Sequence, residues 1–176
     1  NGDDRAAVTN TGSENVYRDS GEYVSSIYTT YSSTPSSDLT TGGTEIYNGS
    51  TSTAHYAFSD NTTDYWVSNE IASAVNGVSY IGYDVGSGNE FELGQFTILG
   101  RQQGNSNNWI SSVIVRYSDD GSSWTNHETI ALSTTYSTTK QTLAVTAGAG
   151  NHRYWSLLGN ADLPASKSWC VAELEF

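Results

Sequence analysis

Hydrophobic and polar residues alternate along most of the chain after about residue 39. A strand with one face on a core has this period of two. The runs are short, rich in β-branched and aromatic residues, and separated by turns such as "GSGN" and "AGAGN". The pattern predicts eight strands, at residues 44–48, 80–86, 91–100, 111–118, 128–132, 141–147, 152–160 and 170–176. It is typical of an all-β sandwich or jelly roll.

Three further features refine this prediction. Residues 68–77 are the one segment that resembles a short helical turn, which ends at Gly77. The sequence "SDDGSSW" predicts a hairpin, because Asp-Gly supplies the positive φ of a tight turn. Trp66 and Trp155 are predicted to lie in the core, and Cys170, the only cysteine, to be a buried hydrophobe rather than a nucleophile.

The first 38 residues differ from the rest. They are rich in Ser and Thr, with scattered Tyr. Such a segment is a linker or an extended arm that becomes ordered through contacts. The sequence therefore predicts two parts: an N-terminal arm over residues 1–38 and a β-sandwich domain over residues 39–176, with self-assembly through the arm as one use of it.

Charge narrows the choice of partner. Seven basic residues against nineteen acidic ones give a formal net charge of −12. This field repels nucleic-acid phosphates and anionic lipid head groups, and is compatible with cations and neutral sugars. No apolar run reaches the roughly 20 residues of a membrane helix. The scarcity of Lys and the abundance of Ser and Thr favour an extracellular or virion-surface protein.

The order of several motifs resembles the discoidin-like domains, also called coagulation factor 5/8 type C domains, which include the family 32 carbohydrate-binding modules. The motifs are "AFSDNTTDYWVS", "IGYDVGSG", "FTILGRQQGNSNNWISSVIVRYSDDGSSWT", "HRYWSLLGN" and a terminal "VAELEF". The resemblance spans roughly residues 40–176. It implies an eight-stranded antiparallel jelly roll of the galactose-binding-domain-like type, with its binding loops at one end.

The segment "FSDNTTDYW" places two carboxylates, an amide and hydroxyls within a few positions. Hard cations such as Ca²⁺ take six to eight oxygen ligands of these kinds. A metal-free turn capped by its own Asp and Asn side chains, or glycosylation at Asn61, is the alternative.

The resemblance to discoidin-like domains implies a structural Ca²⁺ between this loop and the last strand. By position its ligands are Tyr56, Ser59, Asn61, Asp64, Ala172 and Glu173, and Asp60 offers a further donor. Ser59 stands where the family usually has Asp, and Asp64 where it usually has Thr. This loop therefore keeps the family's number of carboxylates, but one carboxylate stands at a different position.

The segment "GRQQGNSNNWI" concentrates groups that suit a sugar. Sugar sites combine an aromatic platform with planar hydrogen-bonding groups, and this loop offers Arg101, Gln102, Asn107 and Trp109. The resemblance implies that Arg101 and Asn107 contact the ligand; the alternative for Arg101 is a surface salt bridge or an anchor bonded to the backbone. The final loop, residues 160–169, would supply the stacking aromatic, with Trp169 as the candidate and Trp109 as a second one. Packing of Trp169 beneath the final loop is the alternative. Val67 stands where galactose-binding relatives often have His, which disfavours a galactose site of the usual form.

The sequence contains no catalytic motif. It lacks a nucleophile elbow, a phosphate loop and a metalloprotease helix motif. Glu173 and Glu175 are expected on opposite faces of a strand, where they cannot form a glycosidase pair. We therefore expect no enzyme. The favoured function is a carbohydrate-binding or adhesion module of a larger extracellular or phage virion protein, and the alternative is a structural virion or filament component that uses the fold for subunit packing.

Overall fold

The computed structural model of the chain describes residues 8–9, 15–16, 38–69, 71–101, 108–133 and 139–176. The chain divides into two units, Asn1–Thr34 and Pro35–Phe176. In the first unit, strands β1 (Val8–Thr9) and β2 (Asn15–Val16) pair in antiparallel fashion. The rest of the predicted arm up to residue 37 lies outside the described residues, so the proposed arm contacts stay a prediction.

The second unit is a sandwich of two antiparallel sheets. Its strands are β3 (Thr44–Asn48), β4 (Trp66–Val67), β5 (Tyr80–Asp84), β6 (Gln95–Gly100), β7 (Ser112–Ser118), β8 (Thr125–Ala131), β9 (Gln141–Ala144), β10 (Tyr154–Gly159) and β11 (Cys170–Glu175). One sheet has the order β3-β5-β10-β7-β8, and the other has the order β4-β11-β6-β9. The all-β sandwich prediction is confirmed. The described part of this unit has nine strands rather than eight, because the two-residue β4 is too short to show an alternating pattern.

Two short 3₁₀ helices interrupt the strands. The first, Ala54–Phe58, precedes the loop at residues 59–65, which we call the acidic loop. It was not predicted, because five residues are too few to repeat a helical period. The second, Ala72–Ala74, is the part of the predicted helical turn that forms. Across the described ranges, no helix is long and apolar enough to cross a membrane.

Tryptophan rings fill much of the space between the sheets. Trp66, Trp155 and Trp169 are fully buried. Trp66 and Trp169 meet edge to face, with ring centroids 5.4 Å apart, an arrangement that adds to the energy of burial. Cys170 is buried as well, and its burial raises the pKa of the thiol to about 11. The core predictions for Trp66, Trp155 and Cys170 are confirmed.

A bulge in β11 decides which side chains reach the core. The pairing of β11 with β6 shifts between Val171 and Glu173. Val171 and Leu174, three residues apart, both belong to the hydrophobic core. After the bulge the normal alternation resumes, so that Glu173 and Glu175 share the other face. The expectation that these two carboxylates point to opposite faces is wrong, because residues two apart on a strand lie on the same side.

The predicted hairpin joins β7 to β8. Gly121 has a φ of +72°, in the left-handed region that glycine tolerates. One carboxylate oxygen of Asp120 accepts hydrogen bonds from the backbone N–H groups of Ser122 and Ser123, at 2.7 and 2.6 Å. The Asp-Gly pair therefore forms the turn that the sequence indicates.

Candidate cation and carbohydrate sites

Three carboxylates meet where the acidic loop contacts the last strand. One oxygen from each of Asp60, Glu173 and Glu175 lies within 4.8 Å of the other two. Asp60 belongs to the loop after the first 3₁₀ helix and has a φ of +57°. Its backbone N–H donates a hydrogen bond to the Glu173 carboxylate. The loop and β11 are thus joined at this cluster, which we call the acidic cluster.

Glu173 is the most constrained member of the acidic cluster. The residue is only 1% exposed, and among the described residues its Oε2 atom has no hydrogen-bond partner. Burial, with the nearby charges of Asp60 and Glu175, raises the pKa of this carboxyl to about 7. A buried carboxylate oxygen without a partner is costly. A cation bound at the cluster would supply the missing partner.

The structure brings together part of the predicted ligand set. Asp60 and Glu173 are in the acidic cluster, and Glu175 joins them although it was not predicted as a ligand. The Asp64 carboxylate instead accepts a hydrogen bond of 2.8 Å from the Asn61 side-chain amide. Among the other predicted positions, the Tyr56 carbonyl accepts a hydrogen bond from the Ser59 hydroxyl, and Ala172 lies buried beside Glu173.

Arg101, the first predicted sugar-binding residue, follows directly after β6. Its guanidinium lies over the Tyr65 ring, 4.5 Å from the centroid. Its Nε atom is buried and has no hydrogen-bond partner among the described residues. Arg101 and Tyr65 are both partly exposed. The guanidinium therefore covers one face of the Tyr65 ring, and the pair presents a planar donor group and an aromatic side chain at the surface.

Trp109 packs on Gly100, the last residue of β6. A Cβ atom at Gly100 would approach the Trp109 ring to 2.7 Å, so the close packing requires glycine there. The indole N–H donates a hydrogen bond of 2.9 Å to the Ser133 carbonyl, and the residue is half-buried. Asn108 donates a hydrogen bond to the Ser168 carbonyl at 2.8 Å, which ties this loop to the final one.

Gln102 and Asn107, the remaining predicted residues of this loop, lie outside the described residues. Their roles stay predictions. The described residues on either side of this segment are Arg101, which follows β6, and Asn108, which donates a hydrogen bond to the Ser168 carbonyl.

The placement of Trp169 does not suit the predicted stacking role. Its ring has no exposed surface. Ser68 anchors its backbone on both sides: the Ser68 hydroxyl accepts the Trp169 N–H at 3.0 Å, and the Ser68 N–H donates to the Trp169 carbonyl at 2.8 Å. The side chain therefore turns inward against Trp66 and leaves no face for a sugar.

Tyr65 and Glu175 are residues that sequence reasoning missed. Tyr65 stands in "DYW" beside the core Trp66, and adjacent strand residues point to opposite faces. A buried Trp66 therefore directs Tyr65 outward. The same alternation, counted backwards from the buried Phe176 of "VAELEF", places Glu175 and Glu173 together.

The sequence matches the F5/8 type C domain family over residues 29–163. No curated protein matches the chain.

Solved structures show the same fold. They include CBM62 from Clostridium thermocellum Xyl5A, with 23% identity over 76% of this chain and 92% of that one and a TM-score of 0.57. CpGH89CBM32-5 from Clostridium perfringens, in complex with GalNAc-β-1,3-galactose, has 18% identity over 79% and 98% and a TM-score of 0.57. An F5/8 type C domain from Bacteroides fragilis has 13% identity over 76% and 89% and a TM-score of 0.60. At these identities the similarity establishes the fold.

Proposed function

The chain belongs to the F5/8 type C domain family, and from this membership we propose that it is a non-catalytic carbohydrate-binding module with a structural calcium site. We place it, as the sequence composition suggests, in a larger extracellular or virion-surface protein. Its fold is that of carbohydrate-binding modules. A fold alone does not set function, so the proposal depends on the pair formed by Arg101 and Tyr65.

The observation that supports the proposal most strongly is Arg101. A guanidinium has five N–H donors in a planar fork, and the Nε of Arg101 is buried without a partner among the described residues. Tyr65 lies against it at 4.5 Å. Sugar hydroxyls can accept hydrogen bonds from the exposed N–H groups of the guanidinium, while the apolar face of the sugar packs on the part of the Tyr65 ring that Arg101 leaves uncovered. Gln102 and Asn107, on the same loop, would extend this set of polar groups.

The chemistry of the chain favours a neutral saccharide. The formal net charge of −12 opposes anionic glycans. Val67, at the position of the usual galactose-contacting His, pairs with Cys170 between β4 and β11. Its apolar side chain offers no donor or acceptor to a sugar hydroxyl. The ligand is therefore a neutral sugar held by contacts other than that histidine.

The carboxylates of the acidic cluster do not suit glycoside hydrolysis. Glu173 is buried, and Glu175 forms an ion pair with Lys140. A general acid and a nucleophile must both reach the bond that they cleave. This arrangement supports binding without catalysis.

Substitution of Arg101 tests the binding surface. On a glycan array, the wild type should bind neutral glycans, and Arg101→Ala should weaken this binding by about tenfold to a hundredfold, the effect of losing a charged hydrogen bond. Arg101→Lys keeps the charge but loses the planar fork, so it should also bind weakly. Titration calorimetry with the best array ligand gives the affinities.

Asn126→Ala is the matched control, because Asn126 is exposed on β8 of the other sheet. It should bind as the wild type does. Equal binding by Arg101→Ala would remove Arg101 from the site, and a wild type that binds no glycan would refute the carbohydrate-binding function itself.

The acidic cluster fits calcium. It supplies three hard oxygen donors, one of them buried and unpartnered in the described structure. Bound Ca²⁺ would tie the acidic loop to β11. Ca²⁺ at about 100 times its dissociation constant should stabilise the protein by about 2.7 kcal/mol, which raises the melting temperature by roughly 5–10 °C.

Differential scanning calorimetry with calcium and then with excess EDTA measures this shift. Glu173→Gln is the control, because it removes the buried charge and should abolish the dependence on calcium. An unchanged melting temperature in EDTA, together with no calcium found by elemental analysis, would refute the site.

A further inference from the structure

Lys140 lies beside the acidic cluster and directly precedes strand β9. Its ammonium group forms an ion pair with the Glu175 carboxylate. The register of the sheet explains this contact. Gln141, the next residue, pairs with Ile98 of β6, and Ile98 pairs with Leu174 of β11. Lys140 is therefore held two strands away from the glutamates of β11, within reach of a long side chain.

The charge of Lys140 acts on the whole acidic cluster. Partial burial lowers the pKa of Lys140, but its hydrogen bond to Glu175 and the charges of Glu175, Glu173 and Asp60 raise it overall. In turn, the charge of Lys140 opposes the rise in the pKa of Glu173. With the carboxylates ionised, three negative charges and one positive charge leave a net charge of −2, which one divalent cation neutralises.

Lys140 does not provide a hydrogen-bond donor for every carboxylate oxygen of the acidic cluster. Although the ammonium pairs with Glu175, the Oε2 atom of Glu173 stays buried without a partner among the described residues. In the described structure, the acidic cluster therefore retains one hydrogen-bond acceptor without a donor, close to the ammonium group of Lys140. A bound ion would need oxygens from Glu173 and from its neighbours Asp60 and Glu175.

We propose that Lys140 is an internal cation that competes with a bound divalent ion for Glu175 and thereby weakens the affinity of the acidic cluster for calcium. This inference depends on the calcium site proposed above. In the ion-free protein, Lys140 supplies part of the positive charge that the ion brings. When the ion binds, Glu175 exchanges the ammonium for the metal, and Lys140 moves towards solvent.

Two physical effects support the direction of this change. A positive charge a few ångströms from the ion repels it, and the repulsion is only partly screened near the protein surface. Glu175 must also break its ion pair before it can bind the metal. The side chains of Lys140 and Glu175 are 35% and 24% exposed, so solvent moderates both effects but does not abolish them.

Calcium titration of four proteins tests the proposal: the wild type, Lys140→Gln, Lys140→Arg and Lys167→Gln. Lys140→Gln should bind Ca²⁺ roughly tenfold more tightly than the wild type, from the loss of one nearby charge. Lys140→Arg keeps the charge and should bind as the wild type does. Lys167→Gln removes the other lysine of the chain, so it matches the change in net charge without touching the cluster.

The measurements are isothermal calorimetry and the calcium-dependent shift in melting temperature. A tighter affinity and a larger shift for Lys140→Gln, but not for Lys167→Gln, support the competition. Equal affinities of Lys140→Gln and the wild type would overturn the role of Lys140 and leave the calcium site standing. The absence of calcium binding in all four proteins would overturn both.

Discussion

Replacing Trp169 with alanine should lower the free energy of unfolding by about 3–5 kcal/mol, the usual cost of deleting a large aromatic side chain from a packed core. The ring has no exposed surface and meets Trp66 edge to face. Its loss would leave a cavity between β4 and the final loop. Urea denaturation followed by circular dichroism measures the change, because it does not rely on tryptophan fluorescence.

Trp169→Phe and Trp109→Ala separate a core role from a sugar-binding role. Trp169 Nε1 is buried without a partner in the described structure, so phenylalanine keeps an aromatic ring, removes the unpaired N–H, and should cost much less than alanine. Trp109→Ala, at a half-buried position, should destabilise by about 1–2 kcal/mol. A Trp169→Ala protein of wild-type stability that fails to bind glycans would show that Trp169 is the stacking residue.

Much of the fold could be predicted because its strands alternate and its turns have clear chemistry. β3 was predicted with its observed limits, Thr44–Asn48, and the Asp-Gly hairpin forms. Elements too short to repeat the period of a strand or a helix could not be predicted from the sequence. Two residues of β4 show no alternation, and the helix Ala54–Phe58 has fewer than two turns and is held by its packing on β11 and its neighbours.

The site was less predictable, because sequence shows residue types but not which surfaces are covered. Trp169 and Tyr65 are both aromatic residues near loops, yet only Tyr65 lies beside Arg101 with surface exposed. The acidic cluster depends on the fold in the same way. Asp60 and Glu175 are 115 positions apart in the chain, and the contact of the loop with β11 brings them together.

In calcium-free buffer, the protein should lose about 2–3 kcal/mol of unfolding free energy as the pH rises from 4.5 to 8, because one pKa unit corresponds to about 1.4 kcal/mol. Desolvation, with the charges of Asp60 and Glu175, raises the folded-state pKa of Glu173 from 4.5 to about 7. Below pH 4.5 both states hold the proton and the contribution is fully present. Between these values only the unfolded state ionises, so the contribution falls and is lost above about pH 7.

Glu173→Gln isolates this contribution, because the amide cannot ionise. The difference between the urea denaturation profiles of the wild type and the variant cancels the contribution of every other group, because the two proteins share them. Saturating calcium should remove the loss in the wild type above pH 7, since metal ligation favours the ionised carboxylate. Parallel profiles for the two proteins without calcium would mean that Glu173 ionises freely in the folded state, and the buried, unpartnered oxygen that motivates the calcium site would then be absent in solution.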